Sequence, residues 1–271
     1  MQLLCSTGTF SRFPNFTDYH ALLTYGPQLD VEGFELMFYP AWYPHLKRIA
    51  DDLGKSRLNI PVMHSEKNIG VALGNPEPAT RAQGVQWLED NCRLAHSLGT
   101  RVLVLHLWGW PELDDHLEYN LQPLHECLDI ATRYGLELAI ETIPCRLADP
   151  LHNIHRALEH DQRCRVALDT EFLAQHQQLQ EVFLANWLWK TGHVCHVHIK
   201  DFDGQAFLPD GNRKYLHPGE GHIDFTRFFT DLKHCGFHGS VSLEAPVIDA
   251  EGNVNIAKLQ KSLSMMRQFL A

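Results

Sequence analysis

The chain has 271 residues, 44% of them hydrophobic and 21% charged, which is the balance of a globular protein with a sizeable core and excludes a disordered one. Its formal net charge of -10 is opposite in sign to the basic footprint of a protein that neutralises phosphates, so nucleic acid is disfavoured as a partner. Seven cysteines without a CxxC pair suggest neither a disulfide framework nor a thiolate zinc site, and no apolar run reads as a leader or a membrane span, so a reducing cytoplasm is the expected compartment.

Along the chain, short apolar and β-branched runs alternate with longer segments whose apolar residues recur at helical spacing. Strands are expected at 3–7, 31–38, 60–64, 101–107, 136–142, 165–170, 194–200 and 240–244. Helices are expected at 18–25, 44–53, 80–98, 115–134, 150–160, 173–188, 225–235 and 256–270. Gly99, Gly135 and Gly236 each close a helical run just before a strand, where a left-handed C-cap calls for a residue without Cβ. Eight such units imply parallel pairing through right-handed crossovers and closure into a (β/α)8 TIM barrel, with residues 1–271 as one domain. An open doubly wound sheet would carry a glycine-rich phosphate turn after its first strand; the turn here, CSTGTFSRF, holds one glycine. The polar, glycine-rich stretch 202–221 is expected to be an extended loop over the barrel mouth.

Reactive groups of such barrels sit at the C-terminal ends of the strands. Those ends present Glu35, His64, His106, Glu141, Asp169, His196 with His198, and Glu244. A single histidine or glutamate at a strand end is readily a hydrogen-bonded structural residue. Donors from four successive strands are different, because converging carboxylates repel unless a cation lies between them. Glu141, Asp169, His198 and Glu244 are therefore expected to hold a divalent metal. Three carboxylates and one imidazole suit Mn2+, Mg2+, Co2+ or Zn2+ better than a soft ion, and the sequence does not choose among these.

In HVHIKD the strand period of two sends His196, His198 and Lys200 to one face. His198, nearer the C-terminal end, is the expected ligand, with His196 a layer lower as its neighbour. Lys200 either meets a substrate oxygen or forms a salt bridge with Asp201 or Glu244. Trp108 and Trp110 follow strand four, where an aromatic ring either packs on a sugar or plugs the barrel top. Other histidines, among them His45 and His176, share no spacing and read as surface residues.

The strings GFELMF, VMHS, VLVLH, AIETIP, ALDT, HVHIKD, HPGEGHIDF and VSLEAP, in this order across the whole chain, resemble the xylose-isomerase-like superfamily of TIM barrels. That group comprises sugar isomerases and epimerases and includes an apurinic-site endonuclease. Its ligand order of Glu, Asp, His and Glu falls on Glu141, Asp169, His198 and Glu244. The resemblance implies isomerisation or epimerisation of a small sugar, sugar phosphate or sugar acid, with Glu141 and Glu244 exchanging a proton through a metal-stabilised enediolate.

Departures from the family pattern are informative. The trinuclear nuclease has further ligands where this chain has Phe172, Arg213 and Tyr215, which speaks against a third metal. His64 and His106 match that nuclease's first metal site and leave a second metal, bridged by Glu141, open; otherwise they are expected to contact substrate. Arg213 or His217 is expected to grip a phosphate or carboxylate. A metal-dependent dehydratase of a polyol or dehydroshikimate-like acid is the alternative reaction. Hydrolysis of abasic DNA and a non-enzymatic binding module rank lower, and a homo-oligomer is left open.

Overall fold

The computed structural model describes residues 1–12, 18–110, 113–249 and 251–270. Its strands are β1 Gln2–Ser6, β2 Gly33–Met37, β3 Val62–His64, β4 Val102–Leu105, β5 Glu137–Glu141, β6 Arg165–Asp169, β7 Val194–Ile199 and β8 Ser240–Leu243. They form one closed barrel in sequence order, a TIM barrel. The α-helices are α1 His20–Tyr25, α2 Leu46–Ser56, α3 Asn68–Leu73, α4 Pro78–Ser97, α5 Leu117–Leu121, α6 Leu124–Arg133, α7 Pro150–His160, α8 Thr170–Gln175, α9 Asn186–Trp189, α10 Phe225–His234 and α11 Ile256–Leu270. By packing, the chain divides into two compact units, Met37–Leu168 and the combination of Met1–Leu36 with Asp169–Ala271.

In the unit Met37–Leu168, parallel pairing runs from β3 to β4 (Val62↔Val102), to β5 (Val102↔Glu137) and to β6 (Glu141↔Ala167). β4 is buried along its length, as a strand covered on both faces by helices and barrel interior should be. Helix α7 illustrates the covering layer. Asp149 caps it by accepting the His152 N–H at 2.8 Å, Pro150 starts it, and Leu151, Ile154, Ala157 and Leu158 form its buried stripe. Helices α4 and α6 end on Gly99 and Gly135 in the left-handed region (φ 73° and 70°).

The other unit pairs β1 with β2 (Ser6↔Glu35), β1 with β8 (Cys5↔Leu243) and β7 with β8 (His198↔Ser242), all parallel. Its core includes Phe225, Phe228 and Phe229 of α10 and Leu259, Leu263 and Met266 of α11.

Three expected helices differ from the observed ones. Segment 115–134 is two helices, α5 and α6, because Pro123 cannot donate within a helix and stands at the start of α6. The run 44–53 begins as a 3-10 turn over Pro40–His45 before α2. Segment 173–188 is not one helix: α8 stops where Gln177 adopts a left-handed conformation (φ 59°) and the Gln178 N–H bonds back to the Leu173 carbonyl at 2.8 Å. Only a 3-10 turn (Glu181–Leu184) and α9 follow. Helix α3 (Asn68–Leu73) is not among the helices expected from the sequence. Gly70 within it passes so close to strand four's end that a Cβ there would lie 2.0 Å from the His106 carbonyl oxygen. Among the described residues no helix is long and apolar enough to cross a membrane, and all seven cysteines are free.

Candidate active site at the strand ends

In the unit Met37–Leu168, His64 ends β3, His106 follows β4 and Glu141 ends β5. All three are inward-facing: His64 is fully buried and Glu141 is 1% exposed. One carboxylate oxygen, Glu141 Oε2, faces His106 Nε2 at 2.7 Å and His64 Nε2 at 3.1 Å. His64 Nδ1 lies 2.8 Å from the Ser65 carbonyl oxygen, which only an N–H can satisfy. Burial drives the His106 ring down to about 4 against the opposing pull of Glu141, so at neutral pH the ring is uncharged and donates to Glu141. The three offer donor atoms within 4.8 Å of one another. Two atoms that share a cation at about 2.0–2.2 Å each stand roughly 3–4 Å apart, so the 2.7 Å contact is a hydrogen bond.

Trp108 is fully buried and its indole N–H donates to the Pro144 carbonyl at 3.0 Å, which makes it a packing residue beneath the loops rather than an open ring. Trp110 is 60% exposed.

In the other unit, Asp169 ends β6 and caps α8, its Oδ1 accepting the Phe172 N–H at 3.0 Å. That leaves Oδ2 for the barrel interior. Lys200 Nζ lies 2.6 Å from Asp169 Oδ2 and 2.7 Å from Glu244 Oε2, and 3.8 Å from Glu171 Oε2. Of the two sequence readings of Lys200, the salt bridge to Glu244 is present, and Asp169 joins it. Asp201, the other carboxylate considered, turns away and anchors the mouth loop: it accepts the N–H groups of Gly219, Gly221 and Ile223 at 2.9, 2.9 and 3.0 Å.

His198 is fully buried on β7, its Nδ1 facing Glu244 Oε2 at 3.8 Å and Asp169 Oδ2 at 4.0 Å. Its Nε2 lies 2.7 Å from Glu35 Oε1, and His196 Nε2 lies 3.4 Å from Glu35 Oε2. Contacts of 2.7 and 3.4 Å with the His198 and His196 rings set hydrogen bonding against the cost of burying the Glu35 carboxyl. The sequence puts Glu35 near the end of strand two; it is instead the central residue of β2 (Gly33–Met37), and the strand pattern gives it no partner.

Arg213 pairs with the buried Glu171, and its guanidinium stands 5.5 Å from the Phe172 ring centre and 5.6 Å from that of Tyr215. Arg12 lies 4.3 Å from the centre of the same Tyr215 ring and donates to its hydroxyl at 2.5 Å. No sequence signal pointed to Arg12. His217 is 2% exposed, with Nδ1 2.8 Å from Ser262 Oγ and Nε2 3.2 Å from the Pro246 carbonyl oxygen. Both ring nitrogens are thus taken up within the protein.

The family model described as xylose isomerase-like TIM barrel matches residues 21–269. The chain belongs to this family. As a xylose isomerase-like barrel it is similar to the L-ribulose-5-phosphate 3-epimerase of Salmonella typhi, with 26% identity over 200 residues. That match takes in 71% of this chain and 66% of the relative, so the chain spans just under two thirds of the relative's length. Among solved structures it is similar to D-psicose 3-epimerase from Clostridium cellulolyticum H10 with D-tagatose (TM-score 0.74, 15% identity, covering 100% of this chain and 99% of the other). It is also similar to the IolI protein with a bound zinc atom (TM-score 0.68, 17% identity, covering 100% and 96%). At these identities the structural likeness establishes the fold.

Proposed function

We propose that this protein is a divalent-metal-dependent epimerase or isomerase of a ketose that carries an anionic end, with Glu141, Asp169, His198 and Glu244 holding one cation and Glu141 and Glu244 moving the proton. The observation that carries this reading is the geometry around His198: its Nδ1 lies 3.8 Å from Glu244 Oε2 and 4.0 Å from Asp169 Oδ2, separations that suit atoms sharing an ion. Asp169, His198 and Glu244 are all buried, and a divalent cation would offset the repulsion between carboxylates gathered there.

Strand register supports the choice of ligands. Glu141 pairs with Ala167, so Asp169 lies two residues farther along β6 on the same face. His198 pairs with Ser242, and Glu244 lies two residues beyond Ser242. The names of two similar proteins, an L-ribulose-5-phosphate 3-epimerase and a D-psicose 3-epimerase, point the same way.

A bound divalent cation would polarise the substrate carbonyl and acidify the neighbouring C–H. Glu244, paired with the ammonium of Lys200 at 2.7 Å, accepts that proton from one side of the carbon. Glu141, hydrogen-bonded by the N–H of His106, enters this direction of turnover protonated, delivers that proton to the other side and inverts the centre, leaving Glu141 ionised and Glu244 protonated until both exchange with solvent. Burial of both glutamates shields the transfer itself from bulk water, and solvent hydrogen enters when the carboxyl groups exchange between turnovers. Arg213 and Arg12 flank Tyr215, and among the described residues no carboxylate pairs with Arg12, so this edge suits a phosphate or carboxylate at the remote end of the substrate.

The test is incubation with a panel of ketoses, ketose phosphates and ketose acids in D2O, followed by NMR, beside elemental analysis of protein purified without a metal-affinity tag. Deuterium at the carbon next to the carbonyl, epimer formation and one equivalent of metal are expected. A product lighter by one water would make the enzyme a dehydratase. Two equivalents of metal would place the second at His64, His106 and Glu141. No metal, even after incubation with Mn2+ and Mg2+, together with no exchange on any substrate, would refute the proposal.

A further inference from the structure

Beneath the proposed metal site lies a polar chain that the proton-transfer scheme does not use. Glu35, His196 and His198 are all fully buried. Ser240 Oγ is 2.7 Å from His196 Nδ1, His196 Nε2 is 3.4 Å from Glu35 Oε2, and Glu35 Oε1 is 2.7 Å from His198 Nε2. We infer that Glu35 is a positioning residue that locks His198 in the Nε2–H form, so that Nδ1 is the atom offered to the metal, with His196 and Ser240 holding Glu35 in place. This inference rests on the metal reading above.

For an ionised Glu35 between two neutral rings, the donors and acceptors leave one assignment. An ionised carboxylate accepts only, so each imidazole nitrogen facing Glu35 must carry hydrogen. His196 then has a lone pair on Nδ1, which accepts the Ser240 hydroxyl. His198 has its lone pair on Nδ1, and that atom points toward Asp169 and Glu244. The opposite tautomer of His198 would set a nitrogen lone pair against a carboxylate oxygen at 2.7 Å inside the core, with no water to separate them. A carboxylate behind a ligating histidine also raises the basicity of the nitrogen that faces the metal.

Glu35, His196 and His198 could be read instead as a metal site of their own, since their donor atoms lie within 4.8 Å of one another. The 2.7 Å separation of His198 Nε2 and Glu35 Oε1 is too short for two atoms sharing an ion. The geometry is that of a relay.

The experiment uses the full chain, as wild type, Glu35→Gln and Ser240→Ala. A glutamine oxygen can still accept one imidazole N–H, but its amide group opposes the other, so one of the two rings must flip. In metal-free wild type, 15N NMR of the histidines should show His198 protonated at Nε2 and bare at Nδ1. Competition with a chromophoric chelator should show Mn2+ and Co2+ bound about 10- to 100-fold more weakly by Glu35→Gln. Ser240→Ala should fall between it and wild type. Melting of the chelator-treated variants should stay close to that of chelator-treated wild type, which separates positioning from a structural role.

A Glu35→Gln protein that binds both metals within threefold of wild type would overturn the inference, as would an Nδ1–H tautomer in wild type. If Glu35→Gln does not fold, the tautomer measurement and Ser240→Ala decide. If wild type binds no divalent cation, the metal reading fails, and the tautomer measured on the metal-free chain still judges the relay.

Discussion

Replacing Lys200 by methionine separates the electrostatics of the site from its packing. The side chain length is nearly kept, but the ammonium that lies 2.6 Å from Asp169 and 2.7 Å from Glu244 is removed. Lys200 is 4% exposed, so water does not take its place. Taking one partner from a buried ion pair costs about 3–5 kcal/mol, because the remaining charge stays desolvated. At about 2–4 °C per kcal/mol for a chain of this size, the chelator-treated variant should melt roughly 6–20 °C below wild type. A divalent cation at 100 times its dissociation constant returns about 2.7 kcal/mol by mass action. Because the carboxylates no longer share their charge with an ammonium, the variant should also bind the cation more tightly. Mn2+ should therefore raise the melting temperature of Lys200→Met more than that of wild type. Calorimetry with EDTA and then with excess Mn2+ measures both quantities. Equal melting of the two proteins in EDTA, or equal increments on adding Mn2+, would refute the reasoning.

Glu244→Gln removes the proposed base at nearly constant volume, and kcat should fall by about 10²–10⁴ while circular dichroism is unchanged; turnover near wild type would remove Glu244 from the proton path. His106 provides a pH test. Burial holds its ring at about 4 in the folded chain against about 6.5 when free. Between these values the unfolded chain binds a proton that the folded chain does not, so stability falls as the pH drops from about 6.5 to 4, by about 3 kcal/mol in all. In urea titrations across that window His106→Gln should show a flatter profile, and an unchanged slope would place the sensitivity elsewhere. Arg12→Gln should raise KM for a ketose phosphate or ketose acid at least tenfold, as expected for loss of a charge-assisted contact, and leave the uncharged ketose within about twofold. Equal effects on charged and uncharged substrates would deny Arg12 a role in anion recognition.

The barrel is legible in the sequence because its strands carry a physical signature that survives any local context. The run 136–142 contains β5 (Glu137–Glu141), and 240–244 contains β8 (Ser240–Leu243). Buried parallel strands must be apolar throughout, and a carboxylate or imidazole at one end then stands out. Segment 173–188 escapes the same logic. Its leucines and phenylalanine keep a helical period, while the break depends on Gln177 taking a left-handed conformation that its type rarely takes. The partnership of Glu35 with His198 was illegible for another reason: it joins residues 163 apart in sequence, and no local spacing encodes such a contact. Arg12 and Tyr215, 203 apart, are the same case.

Strand β7 shows how one short string can organise both the site and its cover. Its inward residues form a ladder in which His196 and His198 meet Glu35, His198 Nδ1 faces Asp169 and Glu244, and Lys200, just beyond the strand, pairs with both carboxylates. Thr170 holds the end of the ladder: it accepts the Lys200 N–H at 3.0 Å and donates to the Lys200 carbonyl at 2.6 Å. Asp201 is next in sequence and faces the opposite way, so it is free to gather the loop that carries Arg213 and Tyr215. The fit around it is tight enough to dictate residue type, since a Cβ on Gly221 would come within 2.5 Å of Asp201 Oδ1 and 2.8 Å of the Phe202 backbone. HVHIKD and the later GEG are thus two halves of one device, in which the alternation of a strand divides the chemistry facing the barrel from the anchoring of the loop that carries the proposed anion contacts.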